Sequence, residues 1–225
     1  MKSMVRSDWR FVFLAVVIAG GALRGDEPLM IACAGDSLMR PIPAHLRAIA
    51  AEQNVALNIR EWAQGGLNSD TYRSFFRRNE DRWTGTRCDA ILLQLGTNDV
   101  VPLLEGGTTA AEVRARIREI LAVFAKIEGR RRPRPVILMA MVPRFCERPE
   151  SAAKNEIVES TINPILREAA AAEGAVLVDS HAVLLNRPDL FDPDCVHPNA
   201  AGERALAENW WRAIRGMLED HHDHA

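Results

Sequence analysis

Along the chain, short runs rich in apolar residues alternate with longer stretches in which apolar residues recur every three or four positions. The runs are Leu29–Ala34, Val55–Trp62, Ala90–Leu95, Pro135–Val142 and Ala175–Val178. Runs of this length separated by helical stretches predict parallel strands joined by helical crossovers. The expectation is an α/β domain in three layers, a five-stranded parallel sheet with helices on both faces.

The intervening stretches carry start and stop signals. Pro41 and Pro43 suit the first turn of a helix running to about Gln53, and Thr109 with Glu112 forms a capping-box pattern. From there Val113, Ile117, Ile120, Leu121 and Phe124 fall on one face, which predicts a buried stripe, and Gly129 is expected to end that helix. A helical stretch from Ser151 to Glu173 contains Pro164, which must kink or split it. The last helix is expected from Pro198 to about Leu218, with Leu206, Trp210, Ile214 and Met217 inward.

The first 28 residues do not fit this pattern. Lys2, Arg6 and Arg10 precede an apolar run from Phe11 to Ala19, then Gly20, Gly21, Ala22 and Leu23, followed by polar Gly25-Asp26-Glu27-Pro28. That is the order of a secretory signal, and its about 13 apolar residues fall short of the roughly 20 needed to span a bilayer. Export with cleavage near Ala22 is expected, giving a secreted or periplasmic protein, or a membrane-anchored one if the segment is retained. The domain is then 29–218, with 219–225 a disordered tail in which a metal site at His221, His222 and His224 is not expected.

Composition changes this picture little. With 48% hydrophobic residues among 225, one sizeable core can form. A net charge of -2 offers no footprint for nucleic acid, and the arginine-rich stretch from Gly129 to Pro135 reads as a solvated turn. Cys33 and Cys88 lie at apolar runs and read as small buried hydrophobes, whereas Cys146 and Cys195 fall in polar loops.

Three polar motifs stand where chemistry is to be expected. The first run leads into Gly35-Asp36-Ser37-Leu38, the third ends in Gly96-Thr97-Asn98-Asp99, and Asp194-Cys195-Val196-His197-Pro198-Asn199 precedes the last helix. The carboxyl edge of an open parallel sheet is where ligand sites form, so Ser37 and Asn98 are presented there. The three-residue spacing lets Asp194 reach the Nδ1–H of His197, leaving Nε2 to take a proton from a serine. Taken singly, each motif is also explained by a capped turn.

Together, in this order and across the whole chain after the leader, the motifs resemble blocks I, III and V of the SGNH/GDSL hydrolases. The resemblance implies a flavodoxin-like fold, no metal or organic cofactor, and hydrolysis through an acyl-serine. It also implies roles: Ser37 as nucleophile and backbone oxyanion donor, Asn98 as side-chain oxyanion donor, His197 as base and Asp194 as its partner. Block II departs from the family pattern, since Gly65-Gly66-Leu67-Asn68-Ser69-Asp70-Thr71 puts Ser69 where a glycine N–H is usual, with Gly66 as the rival register. If the fourth and fifth strands are neighbours, as the resemblance implies, Cys146 and Cys195 lie within reach of a disulfide.

A short-chain, acetyl ester on a carbohydrate is the expected substrate by family analogy, for a monomeric esterase that binds no nucleic acid and has no stable membrane span once mature. A lysophospholipid or a thioester is the alternative substrate. A polysaccharide O-acyltransferase or a non-catalytic carbohydrate-binding partner on the same fold stays open, because transfer and hydrolysis share every residue named.

Overall fold

A computed structural model of the protein describes residues 27–219. Apart from Glu27 and Pro28, the leader expected over residues 1–28 lies outside them, as does the terminal histidine cluster. The strands are β1 (Leu29–Gly35), β2 (Leu57–Ala63), β3 (Ala90–Gln94), β4 (Val136–Ala140) and β5 (Val176–Val178). All pair in parallel, in the order β2-β1-β3-β4-β5.

Alternation along the strands divides the core in two. Leu29, Ile31 and Cys33 of β1, with Ala90 and Leu92 of β3, face one cluster; Ala32, Ala34, Ile91 and Leu93 face the other. Both faces are buried, which is why these runs lack the polar positions of a half-exposed strand. The first face is covered by α1 (Ile42–Glu52) and α9 (Ala200–Glu219), where Leu46 and Ile49 pack in the same cluster as Leu206, Trp210, Ile214 and Met217. Glu219, expected in the tail, closes α9. Trp210 is so fully enclosed that its truncation to alanine should cost about 3–5 kcal/mol.

The second face is covered by α2 (Ser69–Arg78), α3 (Glu80–Thr84), α5 (Ala110–Phe124) and α7 (Asn163–Glu173). Two further short helices precede α7, α4 (Val100–Leu104) and α6 (Ala152–Ile157), and a third, α8 (Ser180–Leu184), follows β5. Thr109 and Glu112 form the capping box of α5, and its expected stripe is buried. That helix ends at Phe124, however, before Gly129. Gly129 instead bridges to Cys88, and a Cβ there would strike the Arg132 and Arg134 backbone, so it shapes the arginine-rich turn. Arg131, Pro133 and Arg134 of that turn are exposed, and Arg131 also pairs with the buried Asp89 at 2.6 Å.

The long helical stretch is continuous: α6 passes through a π-helical segment, Val158–Ile162, into α7 with helical dihedrals at both junctions, and the change of pitch directly precedes Pro164, which has no N–H to donate. Gly174, at φ 66°, closes α7 in the left-handed region.

The strand order places the chain reversal between β1 and β3. At such a switch point the loops leaving adjacent strands diverge to opposite faces and leave a crevice at the carboxyl edge. Among the described residues no helix is long and apolar enough to cross a membrane.

Candidate active site

The turn after β1 is set by tight strand packing. A Cβ on Gly35 would run into the Gln94 carbonyl of β3, and the residue holds φ at 135°, a conformation glycine adopts without strain. Its N–H donates to Tyr72 Oη at 3.0 Å, and Tyr72 in turn donates to the Trp62 carbonyl at 3.2 Å. Asp36 then caps a single 3-10 turn, Ser37–Met39, by accepting the Leu38 N–H at 3.0 Å. Ser37 is thereby held at the mouth of the crevice. Full burial pushes the Asp36 carboxyl up to about 7, against the pull of the Leu38 amide and Thr97.

The loop before α9 explains the Asp-x-x-His spacing. Asp194 Oδ1 accepts the backbone N–H groups of Val196 and His197, each at 2.9 Å, while Oδ2 lies 2.6 Å from His197 Nδ1. One carboxylate thus folds the turn and orients the ring. Partial desolvation raises the Asp194 carboxyl, but the His197 ring and the two amides outweigh it and hold it down at about 2. His197 Nε2 lies 2.9 Å from Ser37 Oγ. The structure therefore brings Ser37, His197 and Asp194 into one chain of contacts. Of the competing histidines among the described residues, His45 lies 3.2 Å from Glu203, and His181 lies 3.7 Å from Glu159 with neither ring nitrogen hydrogen-bonded.

Pro198 and Asn199 finish the loop. Asn199 Oδ1 accepts the N–H groups of Ala201 and Gly202, capping α9, and its Nδ2 donates to the Asp189 carbonyl at 2.8 Å. Cys195, at φ 62°, sits between the aspartate and the histidine. It is disulfide-bonded to Cys146, with the Cα atoms 4.8 Å apart, and its carbonyl accepts the Cys146 N–H at 3.0 Å. Cys33 and Cys88 are free and buried.

Asn98 lies in the turn after β3, in the 3-10 segment Thr97–Asp99. Asn98 Nδ2 donates to the Leu67 carbonyl at 3.1 Å, which orients the amide and leaves its second N–H to spare.

Ser69 is placed differently from the expectation. Its backbone N–H donates to Asp99 Oδ2 at 2.9 Å and its hydroxyl to Oδ1 at 2.6 Å, and the residue is fully buried. An amide engaged by a carboxylate is no free donor for an oxyanion, so Ser69 serves as the start of α2. The Gly65-Gly66 turn is the part of block II that runs beside the nucleophile: a Cβ built on Gly65 would lie 3.8 Å from Ser37 Cβ.

The crevice is a cleft of about 480 Å³ lined by Ser37, Arg40, Pro41, Pro43, Glu61, Ala63 and His197. Three contributors escaped the sequence reading. Asp99 reads there as turn filler although it anchors Ser69; Tyr72 is one helical aromatic among several; Arg40 is three residues beyond Ser37, a spacing that was the available signal.

Comparison with known proteins bears on the whole domain. The model of the GDSL-like lipase/acylhydrolase family matches residues 18–205. An acetylxylan esterase of Xylanibacter ruminicola is 25% identical over 217 residues, a match covering 84% of this chain and 44% of that protein. The chain thus spans less than half the length of that relative. Among solved structures, an acetylxylan esterase of Geobacillus stearothermophilus superposes with a TM-score of 0.66 at 16% identity, covering 84% of this chain and 94% of the other. A lipase from a goat rumen metagenome gives 0.66 at 16%, covering 82% and 97%. At these identities the structural likeness speaks for the fold alone.

Proposed function

Because the chain belongs to the GDSL-like lipase/acylhydrolase family, we propose that it is a serine esterase with Ser37 as nucleophile, His197 as general base and Asp194 as the group that orients it. The observation that carries this reading is the pair of contacts running from Ser37 Oγ through both nitrogens of His197 to Asp194, at 2.9 and 2.6 Å. A hydrogen-bonded serine, base and orienting carboxylate at a solvent-open sheet edge is the arrangement that activates a hydroxyl.

In the reaction, Ser37 Oγ bonds to the ester carbonyl carbon as His197 Nε2 takes its proton, and the carbonyl π pair moves onto oxygen. That oxyanion is met by the Ser37 N–H, the free N–H of Asn98 Nδ2 and an N–H of the Gly65-Gly66 turn, with Gly66 the block II alternative to Ser69. Collapse breaks the bond to the leaving oxygen, which takes the proton from His197. Water then attacks the acyl-serine with His197 again as base, releasing the acid and restoring Ser37.

The proposed substrate is an acetyl or other short acyl ester on a carbohydrate. Support comes from the relative named an acetylxylan esterase and from the polar lining of the cleft, where Arg40, Glu61, Ser37 and His197 outnumber apolar side chains. The protein is proposed to act outside the cytoplasm, a reading supported by the leader pattern and by the Cys146–Cys195 disulfide.

A fluorophosphonate probe followed by peptide mass spectrometry tests the mechanism. We expect the adduct on the Ser37 peptide and none in Ser37→Ala; an unlabelled wild type that also leaves p-nitrophenyl acetate intact overturns the reading. In a p-nitrophenyl series, preference for long acyl chains would replace the acetyl substrate with a lysophospholipid or related ester.

A further inference from the structure

We propose that Arg40 gives this site a preference for esters whose alcohol part carries a carboxylate, such as an acetylated saccharide containing a uronic acid. The inference rests on the esterase reading above and narrows its substrate class.

Arg40 is launched from a rigid base beside the nucleophile. Its backbone N–H donates to the Ser37 carbonyl at 3.2 Å, and the residues that follow it, Pro41-Ile42-Pro43, hold the start of α1. The side chain lines the cleft together with Ser37 and His197. The position that a Gly65 Cβ would occupy lies 3.5 Å from Arg40 Nη1 and 3.8 Å from Ser37 Cβ. Guanidinium and nucleophile therefore flank the same missing side chain, and the glycine leaves the passage between them open.

The charges in the cleft leave Arg40 uncompensated. Glu61 also lines it, but its carboxylate pairs with Arg47 at 2.8 Å, and the Asp194 oxygens are taken up by the His197 ring and the backbone N–H groups of Val196 and His197 rather than by Arg40. Arg40 makes no ion pair among the described residues. A planar guanidinium with its donors free matches a carboxylate through two parallel hydrogen bonds. An acetyl group carries no charge, so the matching anion must sit on the alcohol side, and among saccharides a uronic acid supplies a carboxylate there. Because Arg40 is solvent-exposed, the discrimination should be modest and sensitive to salt.

Calorimetry at low ionic strength tests this without requiring turnover, using two ester-free oligosaccharides of equal length, one neutral and one bearing a single glucuronic acid. The wild type should bind the acidic one roughly five- to tenfold more tightly, approaching parity as salt is raised. Arg40→Gln should abolish the difference and Arg40→Lys should keep part of it, with thermal melts confirming that both fold. The acetylated forms should show the same ratio in kcat/KM. Equal binding of the two oligosaccharides by the wild type, or a preference that survives Arg40→Gln, overturns the proposal. So does a fall in kcat of equal size on acidic and neutral esters, which would assign Arg40 to the oxyanion instead. If the acidic preference holds in binding while neither acetylated form is hydrolysed, the esterase reading falls and the anion site stands.

Discussion

Ser69 gives both of its donors to Asp99, its backbone N–H at 2.9 Å and its hydroxyl at 2.6 Å, across thirty residues of chain. The contact ties the start of α2 to the turn that carries Asn98, so the two segments are held together by one buried carboxylate. Burial raises the Asp99 carboxyl and the Ser69 donors work against that shift. Ser69→Ala should therefore act on stability, costing about 1–3 kcal/mol by leaving a buried oxygen unpaired, with kcat reduced by less than about tenfold. Thermal melts and turnover measured on the same preparation decide it; a hundredfold loss of kcat in a protein of unchanged stability would return Ser69 to the reaction.

Ser37→Ala should lower esterase turnover by roughly 10⁴-fold or more in a protein that remains folded, as removal of a nucleophile does. Turnover of p-nitrophenyl acetate alongside a circular dichroism melt provides the check. Wild-type rates in the folded variant would exclude Ser37.

Asn98→Ala should cost about 10²–10³ in kcat, less than loss of the nucleophile, because one oxyanion donor of several is removed. The variant also loses the bond to the Leu67 carbonyl, so some destabilisation should accompany it. The informative readout is the split between kcat and KM: a change confined to KM would make Asn98 a ground-state contact.

Reduction of the Cys146–Cys195 disulfide should lower both stability and activity. The bridge closes a loop with a sequence separation of 49, for which the chain-entropy account gives about 4 kcal/mol. Its second effect is local, since Cys195 lies between Asp194 and His197 and a loosened loop spoils their alignment with Ser37. Activity and melting temperature followed across a reductant series should fall together. Alkylation of both cysteines in unreduced exported protein would show that no bridge forms.

Asp36 predicts an unusual pH dependence of stability. Burial pushes its carboxyl up from the ordinary aspartate range to about 7 in the folded state, so the folded form binds the proton more tightly than the unfolded chain. The sign follows from linkage: this contribution is fully present below about pH 4 and is lost as pH rises toward 7, by no more than about 4 kcal/mol. Asp36→Asn preserves the cap on Leu38 and removes the titration. The difference in melting temperature between variant and wild type should grow in favour of the variant between pH 4 and 7. A constant difference across that range would sink the assignment.

Much of the fold was legible because its signals are local. The positions of β1 and β3 could be read from the apolar runs, since a strand buried on both faces has no place for unpaired polar groups, whereas edge strand β2 carries exposed Asn58, Arg60 and Glu61. The Thr109–Glu112 capping box was likewise readable, each bond spanning one turn. The Asp194–His197 pairing belongs to the same class: Oδ1 accepts amides two and three residues on, and Oδ2 meets the ring from that turn. Gly129 misled because a glycine after a helical stripe has several uses, and here a close backbone approach, not a helix end, requires it.

What only the tertiary structure decided are the relationships that cross the sheet. Ser37 and His197 are 160 residues apart, and their 2.9 Å approach depends on β1 lying inside the sheet, between β2 and β3, and on α9 packing against α1. The partner of the Ser69 amide could not be read from block II, since Asp99 leaves a different strand. Nor could the sequence tell that Arg40 would stand unpaired in the cleft while Glu61 turned to Arg47. A motif determines which donors and acceptors a segment carries. Which of them remain free is settled by what the fold brings within hydrogen-bonding distance, because most buried donors are taken by an acceptor that packing supplies.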